Sequence, residues 1–211
     1  PFLPLARQLG RLAMELAEGS SVERIETAFL GDIAAHGASL RLLTLAVIGG
    51  ALEGRTEEQV NLVNAPSMAA ERGIVFEETS SSEVQDFNDL IRVTVIAGAN
   101  RVQVAGTGMG PQRIPHLVEV HGRRLTVELA ANVTVFRYED VPGMIGRVGT
   151  IFGRHGVNIS SAAVGHTPDG AGEDGGLAAM VVTTDAPVPA EVVREIVASE
   201  GFVDGRAAEL R

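Results

Sequence analysis

The sequence predicts an α+β fold, because helix-like and strand-like hydrophobic periods occupy separate stretches of its 211 residues. Up to Arg72 most apolar residues recur at helical spacing. After Gly73 they alternate with polar residues, as in strands that bury one face. From Asn132 onward the order becomes β-α-β-β-α-β, the ferredoxin-like plan. We therefore expect a helix-plus-antiparallel-sheet domain over 1–130 and a ferredoxin-like domain over 131–211.

Three helices are predicted in the first domain. The first, Pro4–Glu18, carries four leucines on one face, Leu5, Leu9, Leu12 and Leu16. The second, Ala38–Glu53, is mostly apolar, and we expect it to be buried. Asn64 should cap a short third helix over Ser67–Arg72, because Asn is a favoured N-cap and the following Pro66 is tolerated in a first turn.

The strands of the first domain follow from alternation and turn residues. Gly98-Ala99-Asn100 and His121-Gly122 are hairpin signals, so the strands beside them should pair antiparallel. Val60–Val63 is predicted to be a short strand or an extended run. The other predicted strands are Ser21–Leu30, Ile74–Thr79, Ile91–Ala97, Arg101–Ala105, Leu117–Val120 and Arg124–Leu129.

The second domain repeats a strand, a helix and a strand twice. Its predicted strands are Asn132–Tyr138, Val157–Gly165, Leu177–Thr184 and Phe202–Arg206, and its predicted helices are Pro142–His155 and Pro189–Ser199. In the first of these helices, Ile145, Val148 and Phe152 should share the buried face. The Gly-rich, acidic segment Thr167–Gly176 predicts a mobile loop.

Composition excludes several classes of function. The absence of Cys rules out disulfides, thiolate zinc sites and iron–sulfur clusters held by this chain. A net charge of −10 disfavours binding to nucleic acid, because phosphate backbones repel it. The longest apolar run, Leu42–Leu52, is too short to cross a bilayer, so we expect no membrane span. A reducing, cytoplasmic location fits a chain without Cys.

No catalytic centre is evident in the sequence. All 17 basic residues are Arg, which removes any Schiff-base or P-loop lysine. The five His residues show no HExxH pairing, so we expect no metal site. The strand–turn–helix fingerprint of a dinucleotide fold is not found either. We therefore expect no catalytic residue and no cofactor in this chain.

The strongest candidate site lies where the first helix of the second domain begins. Asp140-Val141-Pro142-Gly143 precedes that helix, and Asn158 opens the next strand. This order predicts a carboxylate, a helix N-terminus and an amide close together at one end of a sheet, where they can hold a small zwitterion. A structural explanation stays open, in which Asp140 caps the helix and Pro142 fixes its first turn.

Two weaker candidates concern anions. Arg113, His116, Arg123 and Arg124 bring four potential cations into twelve residues, which suits phosphate or carboxylate but also suits a solvated hairpin. The glycine-rich stretch 106–110 resembles a phosphate cradle, but no Lys-Ser/Thr follows it. We expect a turn that ends a strand there.

Several segments together resemble one family. Asn132–Gly165 is similar to an ACT domain, a small amino-acid-sensing module. The wider resemblance is to the C-terminal regulatory half of long-form D-3-phosphoglycerate dehydrogenase, in which an intervening allosteric-substrate-binding domain precedes the ACT domain. It is carried, over essentially all 211 residues, by Phe2-Leu3-Pro4-Leu5-Ala6, Val63-Asn64-Ala65-Pro66, Ala70-Glu71-Arg72-Gly73, Val141-Pro142-Gly143 and Gly156-Val157-Asn158-Ile159.

The resemblance implies L-serine as a feedback inhibitor, bound between two ACT domains of a homo-oligomer. Tyr138 and Asp140 would contact it after the first strand. Backbone donors would come from the helix start, that is from Val141, Pro142, Gly143, Met144 and Ile145. Asn158, with Ile159 beside it, would complete the site from the neighbouring subunit.

The resemblance also implies an anion site in the intervening domain, for phosphate or a phosphorylated substrate, formed here by the four cations named above. The chain departs from that pattern at Glu128 and Thr183, where further cations are expected. The complete enzyme would use NAD to oxidise 3-phosphoglycerate, the entry step of serine biosynthesis.

Because the chain begins at Pro1 without Met, we expect it to be a fragment whose catalytic domains lie upstream. Two other parents stay open. One is an iron–sulfur L-serine dehydratase, whose regulatory domains are similar. The other is a stand-alone amino-acid-binding module, and an ACT fold kept only for dimerisation is a further possibility.

Overall fold

The computed structural model describes residues 2–17, 21–56, 58–165 and 176–210. The chain divides into two compact units, Pro1–Val118 and Glu119–Arg211. This division falls earlier than the boundary near Ala130-Ala131 expected from the sequence. His166 and nearly all of the predicted mobile loop lie outside the described residues.

The first unit combines helices with a twisted sheet. Its helices are α1 (Phe2–Leu16), α2 (Gly37–Leu52) and α3 (Ala65–Glu71), with a short 3₁₀ helix at Asp32–Ala35. Its strands are β1 (Arg24–Gly31), β2 (Val75–Ser81), β3 (Asp89–Ala97), β4 (Asn100–Met109) and β5 (Ile114–Val120). They lie in the order β2-β1-β3-β4-β5, and α1 packs on β3 and β4.

One strand pair departs from the antiparallel sheet expected from the sequence. β1 and β2 run parallel, with Arg24 opposite Val75 and Leu30 opposite Ser81. A parallel pair requires a crossover, and the chain between these strands supplies one through α2 and α3. The hairpin predicted at Gly98 is confirmed, because Ala97 pairs with Asn100 across a two-residue turn.

The strand predicted at Val60–Val63 is wrong, because two Asn side chains hold a turn there. The Asn61 Oδ1 atom accepts hydrogen bonds from the N–H groups of Val63 and Asn64, at 2.8 and 3.0 Å. Asn64 is the N-cap of α3, as expected. Its Oδ1 atom, however, accepts from the Asn61 N–H at 2.8 Å and makes no side-chain capping bond to the helix.

Two glycines let α1 and α2 pack with their backbones in contact. A methyl group on Gly10 would collide with the carbonyl oxygen of Val47 in α2. A methyl group on Gly50 would collide with the carbonyl oxygen of Arg7 in α1. The contact is therefore reciprocal, and each helix can approach this closely only because the residue facing the other has no side chain.

The second unit has the predicted β-α-β-β-α-β order. After β6 (Arg123–Glu128) come β7 (Asn132–Glu139), α4 (Met144–Arg154), β8 (Ile159–Gly165), β9 (Leu177–Thr184), α5 (Ala190–Val197) and β10 (Phe202–Glu209). The last four strands form a sheet in the order β10-β7-β9-β8. β9 is antiparallel to both of its neighbours, so β7 and β8 point the same way.

The core of this unit is aromatic at its centre. Phe136 meets Phe152 and Phe202 edge-on, with ring centroids 6.3 and 5.9 Å apart. On α4 the buried residues are Met144, Val148, Ile151 and Phe152. The prediction that Ile145 shares this face is wrong: the buried stripe runs through Met144, Val148, Ile151 and Phe152, and Ile145 lies at its edge and is 58% exposed.

We predict that Gly10→Ala and Gly50→Ala each destabilise the protein by about 2–3 kcal/mol, because backbone on the facing helix cannot move away from an added methyl group. Urea unfolding measures the change. Gly49→Ala is the matched control in the same helix, since nothing lies within 4 Å of its added methyl group. It should leave stability unchanged or raise it by up to about 1 kcal/mol. Equal effects at Gly49 and Gly50 would contradict the close helix contact.

Candidate functional site

The loop between β7 and α4 is open to solvent and ends in a left-handed glycine. Asp140, Val141 and Pro142 are exposed. Gly143 has φ 96° and ψ −8°, is the N-cap of α4, and provides no side-chain capping bond. The expectation that Asp140 caps this helix is therefore wrong. The glycine is required instead by its positive φ, which a side chain would strain.

This helix start has the features of a site for a small anion. In a helix the first N–H groups have no partner within the helix, and the N-terminus carries a partial positive charge. The Arg147 N–H donates to the Gly143 carbonyl at 3.0 Å. The N–H groups before Arg147 at the start of α4 therefore have no acceptor within the helix. Nothing lies within 4 Å of the Gly143 Cβ position, which leaves space for a ligand to approach.

Tyr138, the last inward-facing residue of β7, belongs to the core. Its side chain is 2% exposed, and its ring lies 5.7 Å from that of Phe202. Burial, followed by the negative charge of Asp140, raises the pKa of the Tyr138 phenol from its ordinary 10.0 to about 12. Tyr138 therefore stays neutral and lies beneath the loop that bears Asp140.

Asn158 and Ile159 do not lie near this loop in the same chain. Ile159 opens β8 opposite Thr184, which pairs with Asn132 at the start of β7. Asp140 follows the other end of β7, beside Leu177. α4 spans the distance between the two ends, about 16 Å for eleven residues. The expectation that a single chain brings Asp140 and Asn158 together is wrong.

Asn158 has a partner in its own chain that the sequence did not reveal. Its Nδ2 atom donates to Asp185 Oδ2 at 3.2 Å. Asp185 follows β9, and nothing in its local sequence predicts this pairing. The hydrogen bond positions the exposed amide at the end of the unit opposite to Gly143. Each chain thus presents two separate half-sites, one with a carboxylate and a helix start and one with an amide.

The four predicted anion-binding cations are divided between the two units. Arg113 and His116 belong to the first unit, whereas Arg123 and Arg124 belong to the second. Arg123 and Arg124 are consecutive in a strand with alternating burial, so their side chains lie on opposite faces. The side chains of Arg123 and Arg124 therefore cannot both line one face of this strand.

Arg113 and Arg123 each have a structural contact. Arg113 forms a 2.6 Å ion pair with the buried carboxylate of Asp89, which also accepts the Ile33 N–H at 2.6 Å. Arg123 is 4% exposed, and its Nε donates to the carbonyl oxygen of Leu177 at 2.9 Å. Anion binding at Arg113, His116, Arg123 and Arg124 stays a prediction.

The glycine-rich stretch is part of a strand and not a phosphate cradle. Gly106 and Gly108 lie within β4. A Cβ on Gly106 would lie 2.8 Å from the His116 carbonyl oxygen, and one on Gly108 would lie 2.9 Å from the Arg113 Cβ. Both glycines are therefore explained by close packing against the neighbouring strand. Within the described ranges, no group of three or more His, Asp or Glu residues could hold a metal ion. No helix in that part of the chain is long and apolar enough to cross a membrane.

Comparison with known proteins gives a consistent result. A family model described as the D-3-phosphoglycerate dehydrogenase intervening domain matches residues 1–121, and the ACT domain model matches 132–201. D-3-phosphoglycerate dehydrogenase of Archaeoglobus fulgidus is 30% identical over 210 residues, which covers 100% of this chain and 38% of that protein. The Mycobacterium leprae enzyme of the same name is 32% identical over 200 residues, or 94% of this chain and 36% of that protein. The chain thus spans little more than a third of the length of these relatives.

We predict that Tyr138 titrates near pH 12 in the folded protein. It is the single Tyr in a chain without Trp, so ultraviolet absorbance reports it alone. Because folding raises this pKa above its ordinary 10.0, the stabilising contribution is complete below pH 10 and is lost as the pH rises toward 12. Asp140→Asn should lower the pKa of Tyr138 only part of the way towards its ordinary 10.0, because burial is a larger cause of the raised pKa than the charge of Asp140. A folded-state midpoint near 10 would contradict the buried position.

Proposed function

This chain belongs to the family of the D-3-phosphoglycerate dehydrogenase intervening domain, and we propose that it is a regulatory region that binds L-serine between two of its copies. The observation that carries the proposal is the exposed start of α4, where Gly143 leaves the helix end open and Asp140 stands beside it. The match of residues 132–201 to the ACT family supports an amino acid as the ligand.

The chemistry of the helix start suits a zwitterion. A ligand carboxylate would accept N–H hydrogen bonds in the first turn of α4 and gain from the helix dipole. The Asp140 carboxylate would bind the ligand ammonium. Both charges of the ligand would then be compensated. A simple carboxylate or a simple amine would use only one of these two interactions.

A second copy of the chain would complete the site. Asn158 lies a helix length from Asp140 in its own chain, so its amide can reach the ligand only from another subunit. In a twofold dimer the amide half-site of each chain would face the carboxylate half-site of the other. The amide can donate and accept at once, which suits a serine hydroxyl. Ligand binding and subunit association would then be linked.

The proposed consequence is allosteric. We propose that the whole protein is a D-3-phosphoglycerate dehydrogenase, as the name of its relatives suggests. We propose further that it uses NAD and acts in the cytoplasm. Serine held across two subunits would favour one relative orientation of them and so shift the attached catalytic domains. Couplings of this kind amount to about 1–3 kcal/mol. The names of the relatives favour this parent over an iron–sulfur dehydratase.

Calorimetry tests the site. We predict that serine binds the wild-type chain and that Asp140→Ala or Asn158→Ala each weakens binding by at least about tenfold, because each removes one charged or bidentate hydrogen-bond partner. Glu139→Ala, at the exposed neighbouring position, is the matched control and should bind like the wild type. Unchanged binding in both variants would refute the site.

Mixing the two variants tests the shared geometry. Asp140→Ala and Asn158→Ala chains should each bind serine poorly alone. A dimer containing one of each would have one intact site, formed by the unaltered Asp140 of one chain and the unaltered Asn158 of the other. Binding should therefore reappear after subunit exchange. If it does not, the two residues do not meet across an interface.

A further inference from the structure

The sheet of the first unit leaves part of one face without a helix over it. On the covered face, Ile25, Phe29 and Val93 are fully buried. On the opposite face, strand pairing aligns Glu77, Glu26, Thr94 and Gln103 in one row across four strands. The loop residues Val84 and Phe87 pack on one end of this face and leave the polar row uncovered.

A depression forms on this face because a small residue stands between larger ones. Ala28 of β1 pairs with Thr79 of β2 on one side and with Arg92 of β3 on the other. Ala28 is part of the lining of a cavity of about 240 Å³. We call this cavity the polar pit, and its lining also includes Glu26, Glu77, Arg92, Thr94 and Gln103.

The charges of the polar pit are balanced and already ordered. Glu26 and Glu77 are neighbours on adjacent strands. Glu77 pairs with Arg24 at 2.9 Å, and Glu26 pairs with Arg101 at 3.3 Å. Strand pairing places Arg92 beside Ala28, one row along the same face from Glu26 and Glu77, and its guanidinium has five N–H donors. Carboxylate acceptors and guanidinium donors therefore lie in neighbouring rows of this face.

From this arrangement we propose that the polar pit binds a small zwitterion, such as a free amino acid, with its ammonium at Glu26 and Glu77 and its carboxylate at Arg92. Each carboxylate is compensated by its own Arg, so a simple anion is the competing ligand, and acetate is the probe that tests it. The volume is below the roughly 300–1,000 Å³ of sites for drug-sized ligands. This site is separate from the helix start of α4 and does not depend on its proposed function.

A second copy of the chain is a less favourable occupant. The uncovered face spans four strands that lie about 4.8 Å apart, and four rows of side chains along them. Its area is therefore roughly 20 by 20 Å, or about 400 Å². Stable interfaces bury about 800 Å² on each partner. The area of this face thus supports a small ligand more than a self-association surface.

Ligand-observed NMR on the full chain tests the proposal, in an Asp140→Ala background so that the site at α4 contributes nothing. Glycine is the zwitterion, and methylammonium and acetate each carry only one of its charges. We expect glycine to bind and the two single-charge probes to bind at least about tenfold more weakly.

Two variants locate the binding. Ala28→Val enlarges a side chain in the lining of the pit without a change of charge and suits a strand. Arg92→Gln removes the cation, and Arg41→Gln, at an exposed position of α2, is its charge-matched control. Both pit variants should weaken glycine binding by at least about tenfold, and the control should not.

Absence of glycine binding in the Asp140→Ala background, or equal binding in Ala28→Val, would overturn the proposal. Sedimentation velocity tests the alternative that a second copy of the chain occupies this face. If Ala28→Val changes the association of the chain while glycine does not bind, the face joins two copies and the ligand site is refuted.

Discussion

The antiparallel pairing of β9 with both β7 and β8 is the constraint on which the candidate site depends. It makes β7 and β8 point the same way, so α4 must carry the chain back along the full length of the sheet. Asp140 and Asn158, which are only eighteen positions apart, consequently lie at opposite ends of the unit. A single chain therefore holds two half-sites. Under the proposed function, a ligand that needs both half-sites is bound only where two copies meet, which links occupancy to association.

The open helix start is consistent with this interpretation. Gly143 is the N-cap of α4 and makes no side-chain capping bond, which costs roughly a few tenths of a kcal/mol relative to Ser, Thr, Asn or Asp. Asp140 is close in sequence but does not supply the cap. Departures from good local chemistry are expected at functional sites, where a ligand can satisfy the open groups. The glycines at Gly10, Gly50 and Gly106 differ, because close packing alone explains them.

Most elements of the fold could be predicted from periodicity, and the exceptions have physical causes. β9 matches its predicted range, Leu177–Thr184. Val60–Val63 was misread because Asn61 and Asn64 satisfy the local backbone with their own side chains, which competes with strand pairing. The parallel pairing of β1 with β2 could not be predicted either, because it links strands separated by two helices and has no turn signal.

The sequence by itself determined the order of elements in the second unit, a helix start close after Asp140 and the family, since these depend on local spacing and on short motifs. Only the tertiary structure decided which side chains meet. It placed Asn158 beside Asp185, separated Arg123 from Arg124 on the two faces of a strand, and assembled the polar pit from β1, β2, β3 and β4. These contacts depend on strand register and chain direction, which join residues far apart in the chain and leave no mark in the local pattern.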